Sequence, residues 1–322
     1  MFTRLASIGV FAVALITSLP ADAQHYPDLV SRTAFRVCSD PSNLPFSNRK
    51  QQGFENKIAE IFGQQLKEPV RYLWAPSGPG FARNTLNADL CDVIMGYTVG
   101  SELVQSTNPY YRSTYVIVAK KGSPLNGVET LDDPRLKGHT LGVFAATPPV
   151  DVMLSKGLMD KAQVYPLLVD HRFDSPLTTM MSDLQNGKTD AVVVWGPLIG
   201  WDVVKSSGSL VMSPLLKEVN RPGFSYRISL GVRHDELDWK HKLDAVLRSR
   251  RVDINKVLVD YGVPLIDESG KLIPPSEAVD PSAPALGMSA RPSHDFKRSD
   301  EHAASGAGGF HMPGPAPTNA QH

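Results

Sequence analysis

The strongest constraint on this chain is an alternation of short strand-like and helix-like segments that occurs twice along it. In the first series, residues 35–40 form a short apolar strand that stops at a turn rich in Pro and Asn. Residues 54–67 follow with apolar side chains at Phe54, Ile58, Ile61, Phe62 and Leu66, the stripe of a helix with one buried face. Residues 70–74 give a second strand, 81–88 a short helix and 92–96 a buried third strand. Parallel strands need a crossover between them, and helices of this length supply it. The series therefore predicts an α/β unit, a mainly parallel sheet with helices on its faces.

An apolar strand at 115–119 leaves this unit, and a second series follows. It predicts strands at 140–144, 162–168 and 190–195, with helices at 149–156 (starting after Thr147), 175–186 and 197–205. Residues 224–232 read as a strand returning to the first unit, and 237–261 as two closing helices. Lobe I is thus expected at 24–118, lobe II at 119–223, and a return to lobe I at 224–273. Two lobes joined by two crossing strands leave a hinged cleft between them. Ligands of open α/β sheets lie beyond the carboxyl ends of the strands. The cleft should then be lined by residues 40–47, 74–78, 96–100, 145–149 and 195–197.

The two ends stand apart from this pattern. Arg4, an apolar run over 5–19 and the small-x-small sequence Ala21-Asp22-Ala23 read as a secretory signal, residues 1–23, with the mature chain starting at Gln24. The apolar run is shorter than the roughly 20 residues a membrane-spanning helix needs, so export to the periplasm is expected rather than anchoring. Residues 274–322 hold eight prolines and few large apolar side chains, and are expected to form a disordered tail. Four of the nine histidines fall there, His294, His302, His311 and His322, at intervals that match no compact metal site. The 33 basic and 33 acidic residues cancel, which argues against nucleic acid as a partner.

The folded part resembles the extracytoplasmic solute-binding proteins of ABC transporters, the two-lobed periplasmic binding protein (type II, Venus flytrap) fold. Within that group, several motifs resemble one branch: Val37-Cys38-Ser39-Asp40-Pro41-Ser42-Asn43-Leu44-Pro45-Phe46-Ser47-Asn48, Gly53-Phe54-Glu55-Asn56-Lys57-Ile58-Ala59-Glu60 and Arg83-Asn84-Thr85-Leu86-Asn87. Cys91-Asp92-Val93-Ile94-Met95-Gly96 and Pro109-Tyr110-Tyr111-Arg112-Ser113-Thr114-Tyr115 complete the set. The branch is that of binding-protein-like accessory proteins associated with quinoprotein methanol and alcohol dehydrogenases, the MxaJ and XoxJ types. The resemblance covers about residues 33–270.

Departures from an amino-acid binder are informative. Where such proteins place a stacking aromatic, this chain has Asn43; where they carry an arginine that grips the ligand carboxylate, residues 98–110 hold Glu102 and neither Arg nor Lys. The anion-binding helix start reads Ala146-Thr147-Pro148-Pro149, and proline has no amide hydrogen to offer. The usual ammonium-binding carboxylate aligns with Trp195. Without these poles a zwitterion loses charge-assisted bonds worth roughly 1.5–3 kcal/mol each. The expected cleft instead offers Asp40 and Thr147 beside an aromatic surface of Phe46, Trp74, Tyr97, Tyr110, Tyr111 and Trp195. Tyr110 and Tyr111 read equally well as core. Such a surface suits a hydrophobic ligand or a protein segment.

For Cys38 and Cys91, export favours a disulfide, but their expected places near opposite ends of parallel strands oppose it. The sequence leaves the pairing open. No Gly-x-Ser-x-Gly, His-Glu-x-x-His or phosphate loop is present, and Asp40 reads better as an organiser of its turn than as an acid or base. Arg112 reads equally well as a hinge residue paired with a lobe carboxylate. The resemblance implies a non-enzymatic accessory, a monomer when free, that assists a quinoprotein alcohol or methanol dehydrogenase and, beside it, a c-type cytochrome. Pyrroloquinoline quinone (PQQ) and calcium or a lanthanide are expected in the partner, with no cofactor or metal in this chain. The rival reading is a transporter receptor for a small uncharged or aromatic ligand.

Overall fold

The computed structural model describes residues 29–282, so the expected signal at 1–23 and the tail past 282 lie outside the described residues. Lobe I begins with β1 (Phe35–Ser39), followed by a small hairpin of β2 (Ser42–Asn43) and β3 (Ser47–Asn48). Then come α1 (Phe54–Leu66), β4 (Val70–Trp74), the one-turn α2 (Phe81–Asn84), β5 (Val93–Thr98) and β6 (Gln105–Ser106). The crossing strand β7 (Tyr111–Lys120) leads into lobe II: β8 (Leu141–Phe144), α3 (Pro148–Ser155), β9 (Gln163–Tyr165), α4 (Pro176–Gln185), β10 (Ala191–Trp195), α5 (Gly196–Lys205) and β11 (Leu210–Pro214). The return strand β12 (Ser225–Val232) and helices α6 (Leu237–Ser249), α7 (Arg251–Asp260) and α8 (Pro275–Ala278) complete lobe I.

Hydrogen bonding runs unbroken across both lobes in the order β4-β1-β5-β12-β7-β10-β8-β9. β1, β4 and β5 are parallel, as are β8, β9 and β10. β7 joins the two sets. Its first half pairs antiparallel with β12, from Tyr111 to Thr114, and its second half with β10 and β11. That double duty makes β7 longer than the apolar run at 115–119 suggests. β11 was not anticipated, and the strand expected at 162–168 is confined to Gln163–Tyr165.

The expected tail boundary at 274 is corrected. Residues 274–282 remain in the fold, because Ala278 is buried and accepts a 2.7 Å bond from the Asn255 side chain. Cys38 and Cys91 are bonded, with Cα atoms 5.6 Å apart. The obstacle expected from parallel strands does not arise, because Cys91 precedes β5 on a loop folded over the sheet. Both sulfurs lie in a buried cluster with Phe81, Leu86 and Ile94. Next to them, the fully buried carboxylate of Asp92 accepts from Arg36 (2.5 and 2.7 Å) and from Arg233 (2.9 Å).

Two close approaches involve glycine. A Cβ on Gly53 would lie 2.0 Å from the Phe46 carbonyl oxygen, so only glycine lets α1 start against the β2–β3 hairpin. A Cβ on Gly200 of α5 would lie 2.3 Å from the carbonyl oxygen of Gly262, joining lobe II to the end of lobe I backbone against backbone. Trp201 stacks on Tyr261 beside this contact, with ring centroids 4.8 Å apart. Among the described residues, no helix is long and apolar enough to cross a membrane.

Candidate functional site

A cavity of about 340 Å³ lies between the lobes. Lobe I contributes Ser42, Asn43, Leu44, Phe46 and residues 76–79; lobe II contributes Phe144, residues 167–171, Ser175, Pro176, Leu177 and Leu198. Phe46 is held from behind by an edge contact with Phe54, centroids 5.1 Å apart. The lobe I wall is fixed by Asp40, which accepts from the Ser42 amide (2.8 Å) and the Ser77 amide (2.5 Å). Asp40 therefore ties two wall loops together, the organising role its turn suggested.

The wide aromatic cleft is corrected. Of the expected rings, Phe46 lines the cavity and the others do not. Trp195 is fully buried, with Tyr115 and Tyr226 each packed edge-on at 5.5 Å, because the chain turns straight into α5 and tucks the indole under the crossing strands. Tyr110 and Tyr111 are core residues of lobe I, and the Tyr110 hydroxyl donates to the Met95 carbonyl at 2.9 Å. Tyr97 sits in the cluster around the disulfide. Trp74 is half-buried, stacked on Tyr72 at 4.6 Å with Arg49 over its face. Residues 96–100, 145–149 and 195–197 are absent from the lining.

Thr147 turns its hydroxyl to the Phe144 carbonyl (2.7 Å), and Pro148 and Pro149 open α3, so this helix start offers few free amides. Arg112 is also corrected: it donates to the carbonyls of Asp267 (3.1 Å) and Glu268 (2.9 Å), not to a carboxylate.

The segment 166–175, without helix or strand, was missed. It follows the carboxyl end of β9, so the rule applied to the other strands points to it as well. It brings Leu167, Leu168 and an Asp170–Arg172 ion pair (2.6 Å) to the cleft. The Arg172 guanidinium holds the Asp170 carboxyl down at about 2, so this charge is already compensated. Leu168 and Phe173 are largely exposed beside it.

Glu55 was also missed. It lies fully buried behind Phe46, whose carbonyl accepts the Glu55 amide at 3.0 Å, and its Oε1 has no hydrogen-bond partner among the described residues. Burial, with the nearby charge of Asp40 adding to it, pushes its pKa up to about 8. A neutral acid therefore underlies the lobe I wall near pH 7.

No protein-family model matches the chain. The solved periplasmic binding protein XoxJ from Methylobacterium extorquens AM1 is 42% identical, with a TM-score of 0.62, and the match covers 73% of this chain and all of that one. This chain belongs to the XoxJ/MxaJ family. The MoxJ protein of Paracoccus denitrificans is 24% identical over 281 residues, 83% of this chain and 99% of that protein. MxaJ from Methlophaga aminisulfidivorans MPT, 23% identical with a TM-score of 0.61 over 72% of this chain and all of its own, shares the fold. The XoxJ/MxaJ-type scaffold is thus a two-lobed binding protein whose cavity walls, in this chain, carry aliphatic and proline side chains in place of paired charged grips.

Proposed function

We propose that this XoxJ/MxaJ-type chain is an exported, periplasmic, non-enzymatic accessory that helps activate or assemble a PQQ-dependent methanol or alcohol dehydrogenase. It takes a segment of that enzyme into the inter-lobe cleft. PQQ and calcium or a lanthanide belong to the partner, which works with a c-type cytochrome; the free accessory is a monomer cleaved after Ala23. The observation that carries this reading is the chemistry of the cavity. Asp40 is committed to its own lobe, Asp170 is neutralised by Arg172, and α3 starts with two prolines. A zwitterion finds neither pole there, whereas an apolar stretch of polypeptide finds Leu44, Phe46, Leu167 and Leu198. The test is co-purification from the periplasm with the exported dehydrogenase, together with dehydrogenase activity in cells lacking this chain. No capture and full activity would overturn the reading.

A second reading has one observation in its favour. At about 340 Å³ the cavity is at the small end of the range for small-molecule sites, roughly 300–1,000 Å³. A receptor for an uncharged or aromatic solute would show submicromolar binding by calorimetry and closure around the solute.

A further inference from the structure

The cleft continues past the apolar cavity. The β2–β3 hairpin stands in it like a partition, and beyond lies a second chamber of about 840 Å³. Ser42, Leu44, Ser175 and Leu177 line both, so the two chambers meet across the hairpin tip. They differ in charge. Apolar side chains such as Met181 and Trp201 line the second chamber too, but it adds Arg49, Lys50 and Lys205, with Asp202 as its one acidic lining residue. Lys205 pairs with Asp202 at 3.0 Å. Among the described residues, neither Arg49 nor Lys50 pairs with a carboxylate; Arg49 lies 5.9 Å over the Trp74 ring. Three cations against one anion leave this chamber positive, in a chain whose charges cancel as a whole.

We propose that the cleft is a two-part grip for an extended polypeptide segment, with aliphatic side chains in the chamber walled by Phe46 and Leu198 and acidic side chains against Arg49, Lys50 and Lys205. It rests on the reading that the cleft receives a protein segment, and it adds the chemistry of that segment. An apolar stretch alone would leave the second chamber wet and its cations unmatched. An acidic stretch alone would leave the first unfilled. A segment with both straddles Leu44 and meets each side with its complement.

The test uses the mature full-length chain and two fluorescent synthetic peptides that share one Leu-Pro-Phe-Leu core. One carries a block of glutamates after the core and the other a block of lysines. Fluorescence anisotropy should show the acidic peptide binding about tenfold tighter at low ionic strength, with the gap closing near 0.5 M salt. Arg49→Glu combined with Lys50→Glu, both exposed positions, should reverse the preference, and a melting curve matching that of the parent shows that the fold is kept. Equal binding of both peptides overturns the two-part grip and leaves the segment reading intact. No binding of either overturns both. An acidic preference that survives the charge reversal, or displacement of the acidic peptide by equimolar free succinate, also overturns the proposal.

Discussion

The lobes are built from the same alternation and held together by different means. Lobe I carries the Cys38–Cys91 disulfide, the Asp92 carboxylate between Arg36 and Arg233, and the buried acid of Glu55 under its cleft wall. In lobe II, the parallel strands β8, β9 and β10 pack through apolar residues such as Val143, Val192 and Val193. Part of its cleft face, residues 166–175, is a segment without regular structure, with Leu168 and Phe173 largely exposed. The difference teaches a division of labour. Lobe I is braced by covalent and ionic ties, with Asp40 bonding its two wall loops together, and lobe II presents part of its apolar cleft surface on a segment without regular structure.

The largest test of this contrast is the disulfide. Replacing both cysteines with serine should destabilise lobe I by about 4 kcal/mol in the chain-entropy picture, given a loop closed over a separation of 53 residues. Calorimetry should then show lobe I melting ahead of lobe II; coincident melting would erase the distinction. Next is Asp92→Asn, which leaves two guanidinium groups facing a neutral side chain and should cost about 3 kcal/mol, measured by urea unfolding.

Glu55 gives a pH signature to the same lobe. Its carboxyl titrates near 4.5 when unfolded and at about 8 when folded, so between these values the folded state holds the extra proton. Stability is then fully present below pH 4.5 and falls as pH rises towards 8, by about 2 kcal/mol between pH 6 and 7.5. Glu55→Gln should flatten that slope; an unchanged slope would place the titration elsewhere. The smallest effect is expected in lobe II. Phe173 is 85% exposed, and Phe173→Ser should shift stability by no more than about 0.5 kcal/mol while weakening the proposed capture of the dehydrogenase. A large loss of stability would mean that lobe II depends on this segment as lobe I depends on its ties.

Much of the fold was legible because periodicity reports burial. The stripe from Phe54 to Leu66 and the apolar run Ala191–Trp195 became α1 and β10. β11 was obscured because its short run holds Ser213 and ends at Pro214, and its reason to be a strand is its partner β7. The site was harder to read. Sequence shows that Trp195 ends a strand, but the turn into α5 decides which way its ring points, and that turn depends on Gly196 packing against Pro264. Segment 166–175 has no periodicity to notice. The cysteines could not be paired from strand order, because a loop ahead of β5 sets the distance.

The meeting of Gly200 and Gly262 bears on how the two lobes are held to one another. Backbone is pressed on backbone there, with no room for a side chain on Gly200. A residue larger than glycine would push α5 away from the chain that follows α7. The same helix carries Trp201, Asp202 and Lys205 to the second chamber, so a change made outside the cleft would be felt along its wall.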